Sequence, residues 1–102
     1  MRIQISDSAP GFGPSRESYL HARIRRLVEP YAPAIDGVEL SVAFDGLFHE
    51  AGLAVRFHHG SPAFFRCKSR RMVNALANLL DSVEGRLARQ FPKHRPQHDE
   101  AM

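Results

Sequence analysis

Three consecutive segments in the middle of the chain alternate apolar with polar residues, which is the pattern of β-strands that bury one face. The apolar positions are Val38, Leu40, Val42 and Phe44 in the first segment, Leu53, Val55 and Phe57 in the second, and Phe65 and Cys67 in the third. The turn sequences Asp45-Gly46 and Gly60-Ser61-Pro62 separate the segments. The sequence therefore predicts an antiparallel meander of three strands, whose outer face carries Phe64, Arg66 and Lys68.

A short strand and an amphipathic helix are predicted before this meander. Residues 2–6 alternate polar and apolar side chains, as in a strand. A loop over residues 7–13 follows, and Pro14 suits the first position of a helix, where a missing N–H donor costs nothing. The apolar residues of this helix recur at helical spacing and are Leu20, Ile24, Leu27, Val28 and Tyr31. Pro30 and Pro33 bracket the end of the helix.

A second, longer helix is predicted after the meander. Ser69 is a candidate cap for its N-terminus. Its apolar stripe comprises Met72, Leu76, Leu79, Leu80, Val83 and Leu87 and extends to about Phe91. Pro92 and Pro96 interrupt the helical pattern, so we predict that residues 93–102 form a disordered tail.

These elements follow one another in the order β-α-β-β-β-α. This order predicts an α+β fold in which both helices pack on one face of a four-stranded, mainly antiparallel sheet. A chain of 102 residues has room for one domain. We place that domain at residues 1–92.

Several classes of protein are disfavoured by what the sequence lacks. A single cysteine, Cys67, excludes an internal disulfide, no secretory leader opens the chain, and no apolar run approaches the roughly 20 residues that span a bilayer. The polar cluster Asp45, His49 and Glu50 is predicted to lie in a hairpin loop without a pocket. We therefore expect a soluble cytoplasmic protein that is not an enzyme, with no membrane partner, small-molecule substrate, metal or other cofactor.

The positions of the charges are more informative than the net charge, which is only +3. Twelve of the fourteen cations are arginine, whose planar guanidinium pairs with phosphate in a bidentate manner. At about 100° per residue, acid-free stripes flank the apolar stripes of both helices. They comprise Arg16, Tyr19, Arg23 and Arg26 on the first helix, and Arg71, Asn78, Ser82, Arg86 and Arg89 on the last. We predict that these two basic edges combine into one groove for a polyanion.

Three more cations, Lys68, Arg70 and Arg71, precede the last helix. The helix dipole already places partial positive charge there, so cations are unfavourable by about 0.3–1 kcal/mol. Residues placed against the local field indicate a ligand, and the free N–H groups of a helix start bind anions. The sequence therefore predicts a phosphate site at the start of the last helix.

The stretch from Met72 to Leu87 resembles the final helix of the ribosome hibernation-promoting factor family, also called ribosome-associated inhibitors or sigma-factor modulation proteins. Val38-Glu39-Leu40-Ser41-Val42 and His49-Glu50-Ala51 are similar to the second strand of that family and the start of its third. The resemblance extends from Met1 to about Arg95. It implies a protein that occupies the channel for messenger and transfer RNA on the small ribosomal subunit and silences the ribosome in stationary phase or stress.

The resemblance also implies which residues bind. Arg16, Arg23, Arg26, Arg86 and Arg89 match basic positions of the family's ribosome-binding surface. With the cations before the last helix, the predicted RNA-binding residues are Arg16, Arg23, Arg26, Lys68, Arg70, Arg71, Arg86 and Arg89. The expected partner is small-subunit ribosomal RNA. Longer members carry a C-terminal dimerising domain, so a chain that ends at Met102 is expected to be a short, monomeric form.

Two alternatives remain open at this point. A double-stranded-RNA-binding domain has a similar order of elements, and Asp45-Gly46-Leu47-Phe48-His49 resembles its hairpin loop, although the extra strand at residues 2–6 favours the hibernation family. A protein-interaction module would instead use the outer face of the sheet, where Arg56, His58, Phe64 and Arg66 are expected to be exposed.

Overall fold

The computed structural model of the chain describes residues 1–7 and 13–92. The regular elements are β1 (Arg2–Asp7), α1 (Pro14–Val28), a 3-10 helix (Glu29–Ala34), β2 (Ile35–Phe44), β3 (His49–Phe57), β4 (Ala63–Ser69) and α2 (Met72–Gln90). This order confirms the predicted β-α-β-β-β-α arrangement, and Pro14 begins α1 as expected. The predicted tail, residues 93–102, lies outside the described residues.

The four strands form one sheet in the order β1-β2-β3-β4. β1 runs parallel to β2, and the other two pairs are antiparallel, so the sheet is mainly antiparallel as predicted. Ile5 pairs with Leu40, Leu40 with Leu53, and Leu53 with Phe65. Residues directly opposite each other in a sheet share a face, so this row of apolar side chains crosses all four strands on the inner side.

Both helices cover that inner side. Their buried residues, among them Ile24 and Leu79, belong to the same core cluster as Leu40 and Val55 of the sheet. Tyr31, in the 3-10 helix, closes the core with only 1% of its surface exposed. Burying each large apolar side chain contributes about 1.5–3 kcal/mol. The prediction that both helices lie on one face is confirmed.

The strands extend further than the alternating pattern predicted. β2 begins at Ile35, and a bulge at Asp36 shifts its register against β3 before the regular alternation starts. β3 begins at His49, as the resemblance of His49-Glu50-Ala51 to the start of a strand implied, and the prediction that His49 and Glu50 lie in the loop was wrong. Backbone pairing continues across these polar positions because strand hydrogen bonds do not depend on side-chain polarity.

The structure corrects two further predictions. Ser69 does not cap α2, because β4 continues to Ser69 and two more residues are needed to turn into the helix; Arg71 is the residue at the cap position. Phe44 does not point into the core. It lies at the end of β2 with 36% of its surface exposed, and its ring packs on that of His49, with centroids 4.5 Å apart.

Candidate nucleic-acid interface

A groove of about 640 Å³ runs between the N-terminal halves of α1 and α2. Its walls are the exposed flank of α1 and the first turns of α2, and they meet over Leu20 and Leu76 of the core. The lining residues are Gly13, Pro14, Ser15, Arg16, Tyr19, Leu20 and Arg23 from α1 and its start, with Met72, Val73, Leu76 and Ala77 from α2. The groove therefore has an apolar floor and two arginines on one wall, and none of its described lining residues is acidic.

One end of the groove is spanned by a contact between the helices. The guanidinium of Arg16 donates to the sulfur of Met72, with Nη1 3.3 Å from Sδ. Arg16 lies in the first turn of α1 and Met72 is the first residue of α2, so the contact joins the N-terminal ends of the two helices. A thioether is a weak acceptor and a guanidinium has five donors, which leaves Arg16 with donors for a ligand.

The basic stripe of α2 lies away from this groove. Val73 and Ala77 face α1, and Arg89 lies roughly 160° around the helix from Val73 at 100° per residue. The guanidinium of Arg89 folds back along its own helix towards Gly85, since a Cβ placed there would lie 3.4 Å from Nη1. The prediction that the two basic edges combine into one groove was therefore wrong. Periodicity identified the residues that flank the apolar stripe, but not which flank meets the other helix.

The charged groups of Lys68 and Arg70 both lie over the ring of Phe48. The Nζ of Lys68 and the Cζ of Arg70 both lie 5.8 Å from the ring centroid. His49 holds the neighbouring backbone, with its Nδ1 3.1 Å from the carbonyl oxygen of Arg70. The β2–β3 hairpin therefore carries a small aromatic platform on which two of the predicted cations converge, at a cation–π gain of about 0.5–1 kcal/mol each.

The start of α2 has no side-chain cap and no acidic residue in its first turn. The Ser69 hydroxyl instead accepts the N–H of Arg71, at 3.3 Å from Oγ to N. The N–H groups of Asn74 and Ala75 both donate to the carbonyl of Arg71. The remaining donors at this helix start suit an anion, and the phosphate site there stays a prediction.

The described cations divide into paired and unpaired sets. On the outer face of the sheet, Arg56 forms an ion pair of 3.0 Å with Glu39, and Arg66 one of 3.2 Å with Glu50. Within residues 1–7 and 13–92, none of the eight predicted RNA-binding residues forms an ion pair. Arg56 and Arg66 of the sheet face thus have carboxylate partners, whereas the eight predicted residues, including Lys68 on the outer face of β4, have none within the described part of the chain.

The outer sheet face has a trough of about 610 Å³. Its base is formed by small residues, including Ser41, Gly52 and Ala54. A Cβ at Gly52 would lie 3.2 Å from the Ser41 hydroxyl, so the Ser41 side chain occupies the space over Gly52. Phe64 stands at this trough with 75% of its surface exposed. This trough is the surface that a protein-interaction module would use.

The side chains of the polar cluster Asp45, His49 and Glu50 each bond to another part of the chain. The carboxylate of Asp45 accepts the N–H groups of Phe48 at 2.7 Å and Leu47 at 2.9 Å. These bonds, with a smaller contribution from nearby Lys68, hold the pKa of Asp45 below its ordinary value of 3.8. Glu50 pairs with Arg66 and His49 bonds to Arg70. Each group therefore stabilises the hairpin.

The part of the chain that the structure describes contains neither a cluster of metal ligands nor a membrane-spanning helix. No group of three or more histidine, cysteine or acidic side chains within that part of the chain could hold a metal ion. Among the same residues no helix has the length and apolarity to cross a membrane.

Three residues that the structure places at these surfaces were not among the predicted binding residues. Val73 lines the groove with 67% of its surface exposed, and Tyr19, which was placed on the basic stripe but not among the binding residues, is 61% exposed. Phe48 forms the platform for two cations. For Val73 a signal was present, because it is an apolar residue outside the core stripe of its helix.

Solved structures share this fold. A ribosomal subunit interface protein from Coxiella burnetii matches with a TM-score of 0.74 and 18% identity, over 88% of this chain and 97% of that one. The N-terminal domain of Protein Y from Thermus thermophilus matches with a TM-score of 0.72 and 14% identity, over 88% of this chain and 99% of that one. No protein-family model and no curated protein matches the sequence. The chain therefore has the fold of a ribosomal subunit interface protein and of a Protein Y N-terminal domain.

Proposed function

We propose that this chain belongs to the ribosome hibernation-promoting factor family and inhibits translation by occupying the messenger and transfer RNA channel of the small ribosomal subunit. It acts by binding alone, through cations on the helices and at the hairpin. The sequence resemblance and the fold of a protein described as a ribosomal subunit interface protein both support this proposal.

The observation that carries the proposal is the division of the cations. Arg56 and Arg66 on the sheet face have carboxylate partners at 3.0 and 3.2 Å. The eight predicted RNA-binding residues have none among the described residues. An unpaired arginine gains a charge-assisted bond on meeting a phosphate, whereas a paired one must first give up a bond. The helices and the hairpin are therefore the favoured surface for RNA.

The predicted cations form three groups around this surface. Arg16, Arg23 and Arg26 lie on α1, and Arg86 and Arg89 lie on the flank of α2 that faces away from α1. Lys68, Arg70 and Arg71 lie between the hairpin and the start of α2. Groups that are separated in this way fit an extended, folded RNA surface better than a single phosphate.

Sedimentation of the purified chain with ribosomes, and with isolated small subunits, tests the proposal. We expect the chain to pellet with both at low salt and to be released as salt rises, because bound phosphates release counterions. The double variant Arg71→Glu with Arg89→Glu should weaken binding about tenfold or more, since a hydrogen bond to a charged group contributes about 1.5–3 kcal/mol.

A matched control is available on the sheet face. Arg56→Glu with Arg66→Glu changes the net charge by the same amount, and we expect it to leave sedimentation with ribosomes unchanged. Far-ultraviolet circular dichroism of both variants checks that they are folded. If the wild-type chain stays in the supernatant at low salt, the proposal is wrong.

The sheet-face trough supports one competing function, a protein-interaction module. The exposure of Phe64, at 75%, is the observation that favours it. Under that function Phe64→Ala would abolish partner binding and the helix variants would not. Under the ribosome proposal the opposite result is expected.

A further inference from the structure

We propose that the groove between α1 and α2 is a binding site for one unpaired nucleotide, with its base against Tyr19 and Val73 and its phosphates on Arg16 and Arg23. This inference rests on RNA as the partner of the chain. It adds a specific subsite, and it requires single-stranded RNA at that point of the interface.

Two exposed apolar side chains face each other across the groove. Tyr19 and Val73 expose 61% and 67% of their surfaces, although they stand on the two walls of the same groove. An aromatic side chain beside an apolar wall is the arrangement on which unpaired bases stack, whatever their sequence. A base within a duplex has both faces covered by its neighbours, so only an unpaired base fits this role.

The charge of the groove suits phosphates. Among the described residues that line the groove, the only charged ones are Arg16 and Arg23, and none is acidic. They lie on the same wall, seven positions apart, which is about 10 Å along a helix. Neither forms an ion pair with another described residue. The groove thus presents an apolar floor for a base and, beside it, two open guanidinium groups for the phosphates on either side of that base.

The contact that spans the end of the groove places Arg16 beside the start of α2. The bond from Arg16 Nη1 to Met72 Sδ, at 3.3 Å, holds the guanidinium across the start of α2. The first turn of α2 has no side-chain cap and no acidic residue. A phosphate bound by Arg16 would therefore lie near the positive end of α2, which favours negative charge.

The chain has a built-in optical probe for this site. It contains no tryptophan and two tyrosines, of which Tyr31 is 1% exposed and Tyr19 is 61% exposed. A base that stacks on Tyr19 quenches the emission of that tyrosine and leaves that of Tyr31 unchanged. Titration of the full chain with a short single-stranded oligouridylate at low salt should therefore quench part of the tyrosine emission, and a duplex of equal length should not.

Two substitutions at Tyr19 separate stacking from other effects. Tyr19→Phe keeps the ring, so we expect affinity for a dye-labelled oligouridylate to stay within about twofold of wild type while the quenching disappears. Tyr19→Ala should lower that affinity about 5- to 150-fold, which is the loss of one stacked base. Phe64→Ala, at an even more exposed aromatic on the opposite face of the sheet, is the matched control and should change nothing.

A third variant leaves Tyr19 unchanged and removes one of the two charges of the groove. Arg23→Gln should reduce affinity and make the binding less dependent on salt, because one phosphate contact is lost. Since Tyr19 and Arg23 are exposed on α1, these substitutions should leave the thermal unfolding temperature nearly unchanged.

The inference is overturned if Tyr19→Ala binds the oligonucleotide as tightly as wild type, or if a duplex quenches as strongly as a single strand. Absence of any quenching at low salt would also overturn it and would leave an amphipathic peptide helix as the occupant to test. Failure of this inference is distinguishable from failure of the proposed function. In the first case the wild-type chain still sediments with ribosomes, and in the second it does not.

Discussion

The guanidinium of Arg16 lies 3.3 Å from the sulfur of Met72, so the first turn of α1 is bonded to the first residue of α2. The Met72 side chain has two roles in this contact. It fills the core, with only 7% of its surface exposed, and it accepts a bond from a residue of the candidate interface. Substitutions at this position can separate packing from bonding.

Met72→Leu should leave the free energy of unfolding within about 1.5 kcal/mol of wild type, because it conserves volume and removes only a weak acceptor. Met72→Ala should cost about 2–5 kcal/mol through the cavity it leaves. Urea unfolding followed by circular dichroism measures both. Equal losses for the two variants would show that the bond to Arg16, and not the packing, stabilises this end of α2.

The Asp45 turn predicts a pH dependence of stability. The N–H groups of Phe48 and Leu47 hold the pKa of Asp45 in the folded chain below its ordinary value of 3.8. A lowered folded pKa means that the carboxylate stabilises the fold above about pH 4 and loses this effect as the pH falls through the folded pKa. Asp45→Asn should therefore lower the melting temperature at neutral pH, and the gap to wild type should close in acid.

Melting curves of both proteins between neutral pH and about pH 2 test this expectation. Glu39→Gln, on the same sheet but outside the turn, serves as a control for general effects of charge. A gap between wild type and Asp45→Asn that stays constant over the whole range would contradict a role for the ionised carboxylate.

The contacts of the Phe48 ring predict an energetic coupling between the hairpin and the cations before α2. Its ring centroid lies 5.8 Å from both Lys68 Nζ and Arg70 Cζ. Phe48→Leu should therefore destabilise the chain by about 1–2 kcal/mol beyond the loss of packing. In the background of Lys68→Gln with Arg70→Gln, that additional loss should vanish. A double-mutant cycle from urea unfolding measures the coupling, and additive effects would contradict it.

Most of the fold could be predicted from the sequence because the inner face of the sheet is apolar at nearly every second position. Leu40, Val42, Leu53 and Val55 point inward as expected. The pattern failed at the ends of strands, where backbone pairing continues beyond the covered part of the sheet. Phe44 is the clearest case, since it continues the alternation of β2 but lies where the core ends.

The candidate site was less predictable, because it depends on how the helices are placed relative to each other. Helical periodicity grouped Arg16, Tyr19, Arg23 and Arg26 on one flank of α1, and the structure places the first three, but not Arg26, in the lining of the groove. The same periodicity grouped Arg86 and Arg89, which lie on the other flank of α2. The packing of the helices on the sheet decides which flanks meet, and neither helix encodes that choice by itself.

The central claim is that the unpaired cations of the helices, and not the paired cations of the sheet face, bind ribosomal RNA. The most direct test is the salt dependence of ribosome affinity for wild type, Arg23→Gln with Arg89→Gln, and Arg56→Gln with Arg66→Gln. We predict that the helix pair reduces the slope of log K against log salt by about one unit per lost phosphate contact, while the sheet pair leaves the slope unchanged. A reduced slope for the sheet pair and an unchanged slope for the helix pair would contradict the claim.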